Sequence, residues 1–560
     1  MKKIIISSAF TVFTLLLSAQ KKTVQKPNIL WITCEDISPT LSFYGDHTAK
    51  TPHLDALAKE SMVYDNAFAT TPVCGPSRSA IITGMLPTSI GTMHMRTGKD
   101  VMGWSKDKYA EKVFDHLGNQ VFDLNNQPIR EYSAVIPAEI KTFTEFLRAN
   151  GYYCTNNPKT DYQFAAPQTA WDENGDKAHW RNAPKGVPFF SIFNINDTHE
   201  SKIWEHKNLP MTVDPKSVPL PDYYPDNEMV RTDVARHYSN IELMDKEVGK
   251  IIAQLKEDGL YDNTIIFFFS DHGGPLPKQK REPADSGLKV PLLVRFPNAT
   301  LVGRTDNLVS FADLAPTMLS LASINPPKYM DGQAFLGKYI AKPREVIYAN
   351  ADRFDEFTDR IRVVRDKNFL YVKNYFLNIP KYKNVSYRLK MNLMIAILEL
   401  KNQNKLNENQ QYWFSPKIAE ELYDVKKDPY QLHNLATDPN YKSQLLKLRT
   451  FSENQFDKKK DFGAINEGEL IAEMWPNNTQ PKTENVVFTN KNGKISLSSK
   501  TPGASIAYIE TEVNSKEKLT KNSPWKLYTK PFVATKGKKI IAKADRIGFM
   551  QSEIKEWTNN

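Results

Sequence analysis

The sequence predicts an α/β protein: a mainly parallel sheet covered on both faces by helices, then a smaller α+β unit, then a terminal β-sandwich. Three observations predict it. Residues 27–325 alternate short, continuously apolar runs with helical periodicity, the pattern of strands buried on both faces. Past about residue 340 the runs shorten and no longer alternate regularly with long helices. After 485, short alternating segments are separated by Gly, Asn and Lys, as in small antiparallel sheets.

The elements follow in order. NILWIT (28–33) reads as a buried strand and HLDALAKES (53–61) as a helix. TFTEFLRAN (142–150) is a helix stopped by Gly151. PFFSIFNIN (188–196) is a strand. Residues 229–260 form a long helix with Val234, Tyr238, Ile241, Val248, Ile252 and Leu255 on one face. TIIFFFS (264–270) and VPLLVRF (290–296) are further strands. VIYANA, FLYVKNYF and ELYDV supply a second sheet, with a helix at 441–456. The unit boundaries fall at 27–340, 341–473, a linker at 474–485, and 486–560.

Composition narrows the class. With 40% hydrophobic and 11% aromatic residues in 560, the chain has the means to build several cores. The net charge of +10 is scattered, with no basic helix interleaved with aromatics, so nucleic acid is not the expected partner. Residues 1–19 pair Lys2 and Lys3 with an apolar run and a small residue, Ala19: a signal peptide, too short to span a membrane. No integral membrane segment is expected, and the destination is the periplasm or the exterior. Three cysteines are too few for a disulfide framework, and their odd number leaves one thiol over.

Ligands of doubly wound sheets bind beyond the carboxyl ends of the strands. Here those ends carry Glu35-Asp36, Asp197-Thr198-His199 and Asp271-His272. Were the strands neighbours, their carboxylates would repel one another unless a cation held them, and an oxygen-rich set with one imidazole suits Ca²⁺. A strand ending in Asp is also an ordinary turn former. In TPVCGPSRSAIITG (71–84), Pro76 and Gly84 frame a short helix with Cys74 just before its start. Exposed N–H groups and Arg78 would stabilise negative charge there, giving an activated nucleophile. The bland alternative is a small buried apolar residue.

Cys-x-Pro-Ser-Arg with SAIITG resembles the signature of the type I sulfatases, and PNILWITCED, TPHLDALAKES, SDHGG and ELYDVKKDPYQLHNLA extend the likeness over roughly residues 27–460. The resemblance implies an alkaline-phosphatase-like fold. It implies that Cys74 is oxidised by a maturation enzyme to formylglycine, whose hydrate is the nucleophile, beside one Ca²⁺. Carried over by position, Glu35, Asp36, Asp271 and His272 would hold the ion with residue 74, although Glu35 stands where the family has aspartate. Arg78 would hold the diol. Lys159 and Lys280 would contact sulfate. His199 would serve the leaving group. Asp161 replaces a family histidine, and His94 is a candidate substrate contact.

The segment 171–201 resembles the heparan N-sulfatase-like branch. Trp171, His179, Trp180 and Arg181 would offer stacking faces and a charged contact to a sulfated polysaccharide, or else pack internally. The implied substrate is an anionic glycan, ulvan first and a heparan-type glycosaminoglycan second. A phosphoesterase of the same superfamily and an inactive glycan-binding homologue are the alternatives of other classes. The terminal β-sandwich resembles glycan-enzyme appendages and either binds glycan or braces the chain.

Overall fold

The computed structural model describes residues 26–95, 97–98 and 109–558; the expected signal peptide lies outside the described residues. Nine strands form the main sheet: β1 (Asn28–Cys34), β2 (Met62–Phe68), β3 (Tyr153–Asn157), β4 (Glu173–Asn174), β5 (Phe189–Ile195), β6 (Thr264–Ser270), β7 (Lys289–Val290), β8 (Leu292–Arg295) and β9 (Gly303–Ser310). Their order is β4-β3-β5-β1-β6-β8-β2-β7, with β9 also on β2. The strands β4, β3, β5, β1 and β6 are mutually parallel. That places the central strands β1 and β6 under cover on both faces, so every residue of each is buried.

The run expected at 290–296 divides at Pro291 into β7 and β8, and β8 pairs antiparallel to both β6 and β2. Proline has no N–H to give the ladder, so the break falls there. The sheet is therefore mixed on one side. One apolar cluster, around Trp31, Phe143, Phe190, Phe267 and Leu314, fills one face. Another, around Ile32, Phe268, Val234, Ile241 and Met244, joins the long helix Glu228–Glu257 to the other. Of the face expected on that helix only Ile252 is incompletely buried.

A second, antiparallel sheet has the order Ile347–Ala351, Ile361–Arg365, Phe369–Asn374, Glu420–Asp424. The strand Ile361–Arg365 was not legible, because its two arginines look like surface residues. Both are buried: Arg362 takes Asp352 and Asp461, and Arg365 takes Asp285. Ile347, Ala349, Val363 and Leu370 of this sheet pack with Val73, Cys74 and Leu288, so it backs the turn that carries Cys74.

Two further sheets, one with Val487–Lys491 and Lys494–Ser498, the other with Ser505–Glu512 and Lys538–Asp545, share one core of Ile495, Leu497, Ile506, Ile540 and Ala542. This β-sandwich is fastened to the sheet-bearing part. Lys543 Nζ donates to Gln168 Oε1 at 2.8 Å, and Arg148 Nη2 to the Trp525 carbonyl at 2.8 Å. Met474 and Trp475 are buried with Met93 and Tyr132.

Candidate active site

Parallel register decides what meets what. Cys34 pairs with Ile195 on one side and Ser270 on the other. The residues that follow, Glu35-Asp36, Asn196 to His199, and Asp271-His272, leave the sheet at one edge. Asn157 of β3 pairs with Phe193 and sends Lys159 to the same edge. The strand β2 runs the same way and leads into the helix Cys74–Thr83, every residue of which is buried. Gly84 closes that helix at φ 73°. The expected helix thus forms, with Cys74 as its first residue.

At this edge His272 Nε2 lies 2.9 Å from Asp36 Oδ1 and 3.3 Å from Cys74 Sγ. Lys280 Nζ donates to Asp36 Oδ2 at 2.6 Å and stands 3.7 Å from Cys74 Sγ. Arg78 Nε donates to Asp271 Oδ2 at 3.0 Å and Nη1 to Asn194 Oδ1 at 2.7 Å. Its Nη2 is buried without a hydrogen bond among the described residues, 3.9 Å from Glu35 Oε1. Lys159 Nζ donates to Glu35 Oε2 at 2.9 Å and lies 3.7 Å from Asp161. His199 Nδ1 accepts from the Ser201 amide at 3.2 Å, so in the neutral ring Nε2 carries the hydrogen.

One donor atom each from Asp36, Cys74, Asp271 and His272 fall within 4.8 Å of one another, and Glu35, Cys74 and His199 form a second such group. Buried carboxylates at that spacing, with one imidazole, fit a hard divalent cation. Against the cost of burial, Lys280 and His272 hold the Asp36 carboxyl well below the usual range. Burial alone would keep His272 neutral, but Asp271, Asp36 and Cys74 raise it to about 10. Burial opposes ionisation of Glu200 as well, and Arg281 and Lys280 hold it ionised.

The thiol requires a correction. The helix start and Arg78 predict an activated cysteine. Instead burial first, then Asp271, push the Cys74 thiol up, outweighing Lys159, Lys280 and His272. Removal of solvent costs a thiolate more than a single helix turn returns. An unmodified Cys74 is therefore a poor nucleophile here. Cys34 and Cys154 are also buried free thiols raised by burial.

Four expected substrate contacts sit elsewhere. Trp180 Nε1 donates to Asp258 at 2.7 Å, Arg181 pairs with the same carboxylate, and His179 meets Gln254 at 3.1 Å. All three are tied to the far end of the helix Glu228–Glu257, and Trp180 stacks on Phe189 at the amino end of β5. Trp171 stacks on Phe190 in the core. An indole finds more contact against a sheet than in a wet cavity. His94 is buried, accepts from the Arg353 amide, and is lowered to about 4 by burial.

Other members were not legible. Glu200 is fully buried, accepts from Arg281 Nη1 at 2.8 Å and Nη2 at 3.0 Å, and lies 3.2 Å from Lys280. Its amide donates to Asp36 Oδ2 at 2.8 Å. Its one sequence signal is adjacency to His199. Asn194, which accepts from Arg78, lies inside a strand where asparagine is disfavoured. Asp36, Asp161, Gln163, Lys278, Arg281 and Asp355 all hold positive φ in this region. For Gln, Lys and Arg that conformation is strained and needs its surroundings to hold it.

The cluster opens into a cavity of about 390 Å³ lined by Glu35, Cys74, Lys159, Asp161, His199 and Tyr387 among others. Among the described residues no helix is long and apolar enough to cross a membrane.

Residues 27–324 match the family described as Sulfatase, and residues 278–402 match N-sulphoglucosamine sulphohydrolase, C-terminal. An ulvan-active sulfatase of Formosa agariphila is 41% identical over 574 residues, covering 96% of this chain and 92% of the relative. N-sulphoglucosamine sulphohydrolase of Homo sapiens is 25% identical over 471 residues, covering 75% of this chain and 88% of its own. The solved structure of a 2-O GAG sulfatase superposes with a TM-score of 0.54 at 19% identity, covering 78% of this chain and 93% of that one, a likeness of fold. With a cationic cluster around Cys74 in the matched segment and a relative this similar along nearly its whole length, the chain belongs to the sulfatase family and is a sulfuric ester hydrolase.

Proposed function

We propose that the protein is exported and removes sulfate esters from an acidic polysaccharide or its oligosaccharides, with ulvan as the substrate. One observation carries the chemistry: Lys280, Lys159 and Arg78 converge with His199 on residue 74 at the mouth of parallel strands. The 41% identity to an ulvan-active sulfatase supports the substrate.

Asp36, Asp271 and His272, with Glu35 and residue 74, would hold one Ca²⁺. Were a maturation enzyme to make residue 74 a formylglycine, its hydrate would supply the nucleophilic hydroxyl and a second hydroxyl for sulfate release, and the ion would supply positive charge at the site. The chain's own residues do the rest. Lys159 and Lys280 meet the nonbridging sulfate oxygens as charge grows on them. Arg78 is fixed by Asp271 and Asn194, so its free Nη2 is aimed rather than mobile. Glu35 holds Lys159 in place, and Asp161 lies on its other side. His199, with Nδ1 accepting from the Ser201 amide, would present its Nε2–H to the departing sugar oxygen as a hydrogen-bond donor, stabilising the charge that grows there.

The match to an N-sulphoglucosamine sulphohydrolase C-terminal segment favours a glycosaminoglycan as second reading. Two measurements test the proposal. Mass spectrometry of the residue-74 peptide from the native host should show loss of the thiol to an aldehyde; an intact thiol overturns the formylglycine assignment. Sulfate release from ulvan, heparan sulfate and neutral sulfated galactans should be fastest on ulvan; a preference for heparan moves the substrate to the second reading.

A further inference from the structure

The cavity has an inner end, at Cys74, Lys159 and His199, and an outer wall that includes Ser201, Lys202, Glu205 and Tyr387. The sulfate chemistry uses only the inner end. At the outer one Tyr387 lines the cavity, and two rings from two other chain segments pack beside it. The His116 ring lies 4.4 Å from Tyr387 at 35°, and the Trp204 ring lies 5.0 Å from Tyr387 at 81°. The segment carrying His116 is pinned by its amide to Ser386 Oγ at 3.0 Å. Lys390 Nζ stands 4.9 Å above Tyr387 and 5.6 Å above Trp204.

Packing explains part of the cluster, since Trp204 rests against the apolar layer under the long helix, but not its exposure. Tyr387 and Trp204 are half-buried, and His116 and Lys390 are exposed. Phe114 and Leu117, on either side of His116, are 56% and 66% exposed. Aromatic faces left partly wet at a cavity mouth suit the C–H faces of a sugar ring. The charge is selective too. Lys202 is paired with Glu205 at 2.6 Å, whereas Lys390 has no carboxylate within 4 Å among the described residues. A cation over aromatic rings with no acidic partner offers its charge to a ligand.

We propose that Tyr387, His116, Trp204 and Lys390 form a subsite for the uronic acid next to the sulfated sugar, the rings stacking on that residue and Lys390 meeting its carboxylate. The inference rests on the acidic-polysaccharide reading above. It makes Lys390 a reader of the neighbour and leaves sulfate recognition to Lys159, Lys280 and Arg78.

Kinetics on matched substrates test it: an ulvan-derived sulfated oligosaccharide and the same oligosaccharide with its uronate carboxyls reduced to alcohols. The wild-type enzyme should prefer the uronate form. Lys390→Gln should erase that preference, raising KM on the uronate form about two- to fivefold while leaving the reduced form unchanged, as fits loss of one partly screened charge contact. Tyr387→Ala should raise KM on both forms, with kcat little changed, as fits loss of stacking. Because Tyr387 is half-buried, His116→Ala on the exposed segment serves as the second variant and should move KM the same way. Equal losses on both forms with Lys390→Gln, or no loss with any variant, overturn the subsite. A wild-type enzyme active only on neutral sulfated glycans overturns the acidic-substrate reading, and the subsite with it; an enzyme active on the uronate form whose Lys390→Gln variant keeps the preference overturns the subsite alone.

Discussion

Lys280 Nζ stands 2.6 Å from Asp36 Oδ2 and 3.7 Å from Cys74 Sγ, so one ammonium bridges a carboxylate of the candidate ion site and the proposed nucleophile position. Both side chains are almost wholly buried. Lys280→Met should therefore do two things. It should lower kcat by about 10²–10³, as removal of a preorganised charge from a transition state does. It should also leave the Asp36 and Glu200 carboxylates short of a partner, lowering the thermal midpoint. Lys280→Arg should not restore kcat, since a planar fork does not fit a point-charge position. Steady-state kinetics and calorimetry on both variants check this.

Removing divalent cations should cost activity and stability together. Chelation should let Asp36 and Asp271 repel, and Ca²⁺ should restore both readouts. An ion present at about 100 times its Kd stabilises by about 2.7 kcal/mol, visible as a drop in the unfolding midpoint on chelation. An unchanged midpoint and unchanged activity in chelator would count against a bound ion.

Arg353 and Glu467 form a buried pair, Nη2 to Oε1 at 2.7 Å, while Arg353 Nη1 donates to the Met95 carbonyl at 3.0 Å and the Asp355 carbonyl at 2.8 Å. Glu467→Gln should destabilise by about 3–5 kcal/mol, because a guanidinium stays behind without its charge partner. Denaturant unfolding measures it. Met95 lines the cavity, so KM should rise as well.

Asp233 supplies a pH test away from the site. It is buried, and its Oδ2 accepts from the Leu393 amide at 2.7 Å. Burial raises its carboxyl to about 6, against the pull of the Leu393 and Asn392 amides. Below about pH 4 the group is protonated in the folded and the unfolded chain alike. Between about 4 and 6 the folded chain keeps a proton the unfolded chain has lost, so stability falls as pH rises, by about 3 kcal/mol in all. Asp233→Asn should flatten that part of the profile and be the more stable form at pH 8. A wild-type slope that survives the substitution would refute the assignment.

Gly503 has φ 74°, and a Cβ there would sit 2.2 Å from the Ala138 carbonyl oxygen. Gly503→Ala should cost about 1–3 kcal/mol through strain and a lost close approach. The β-sandwich should become sensitive to limited proteolysis before the rest of the chain does.

The parallel core was legible because burial on both faces writes itself as uninterrupted apolar runs; TIIFFFS became β6 without a residue's change. The candidate site was legible where residues follow such runs directly, as Asp36 and Asp271 do. Glu200, Arg281 and Asn194 were not, since their partners are distant in sequence and their residue types look like surface. For the same reason the strand Ile361–Arg365 was not picked out. His179, Trp180 and Arg181 misled in the opposite direction: chemistry-bearing types on one segment, drawn into ion pairs and stacking on a helix end.

Residue 74 is reached only through the cavity and is closed off behind. Cys74 is 1% exposed, backed by the second sheet, and its wall is buttressed by Glu467, far along the chain. During synthesis the Cys74 turn leaves the ribosome well before that buttress exists. An enzyme that had to grip the Cys74 turn as an extended segment would find it so only in that interval, before the second sheet closes behind it.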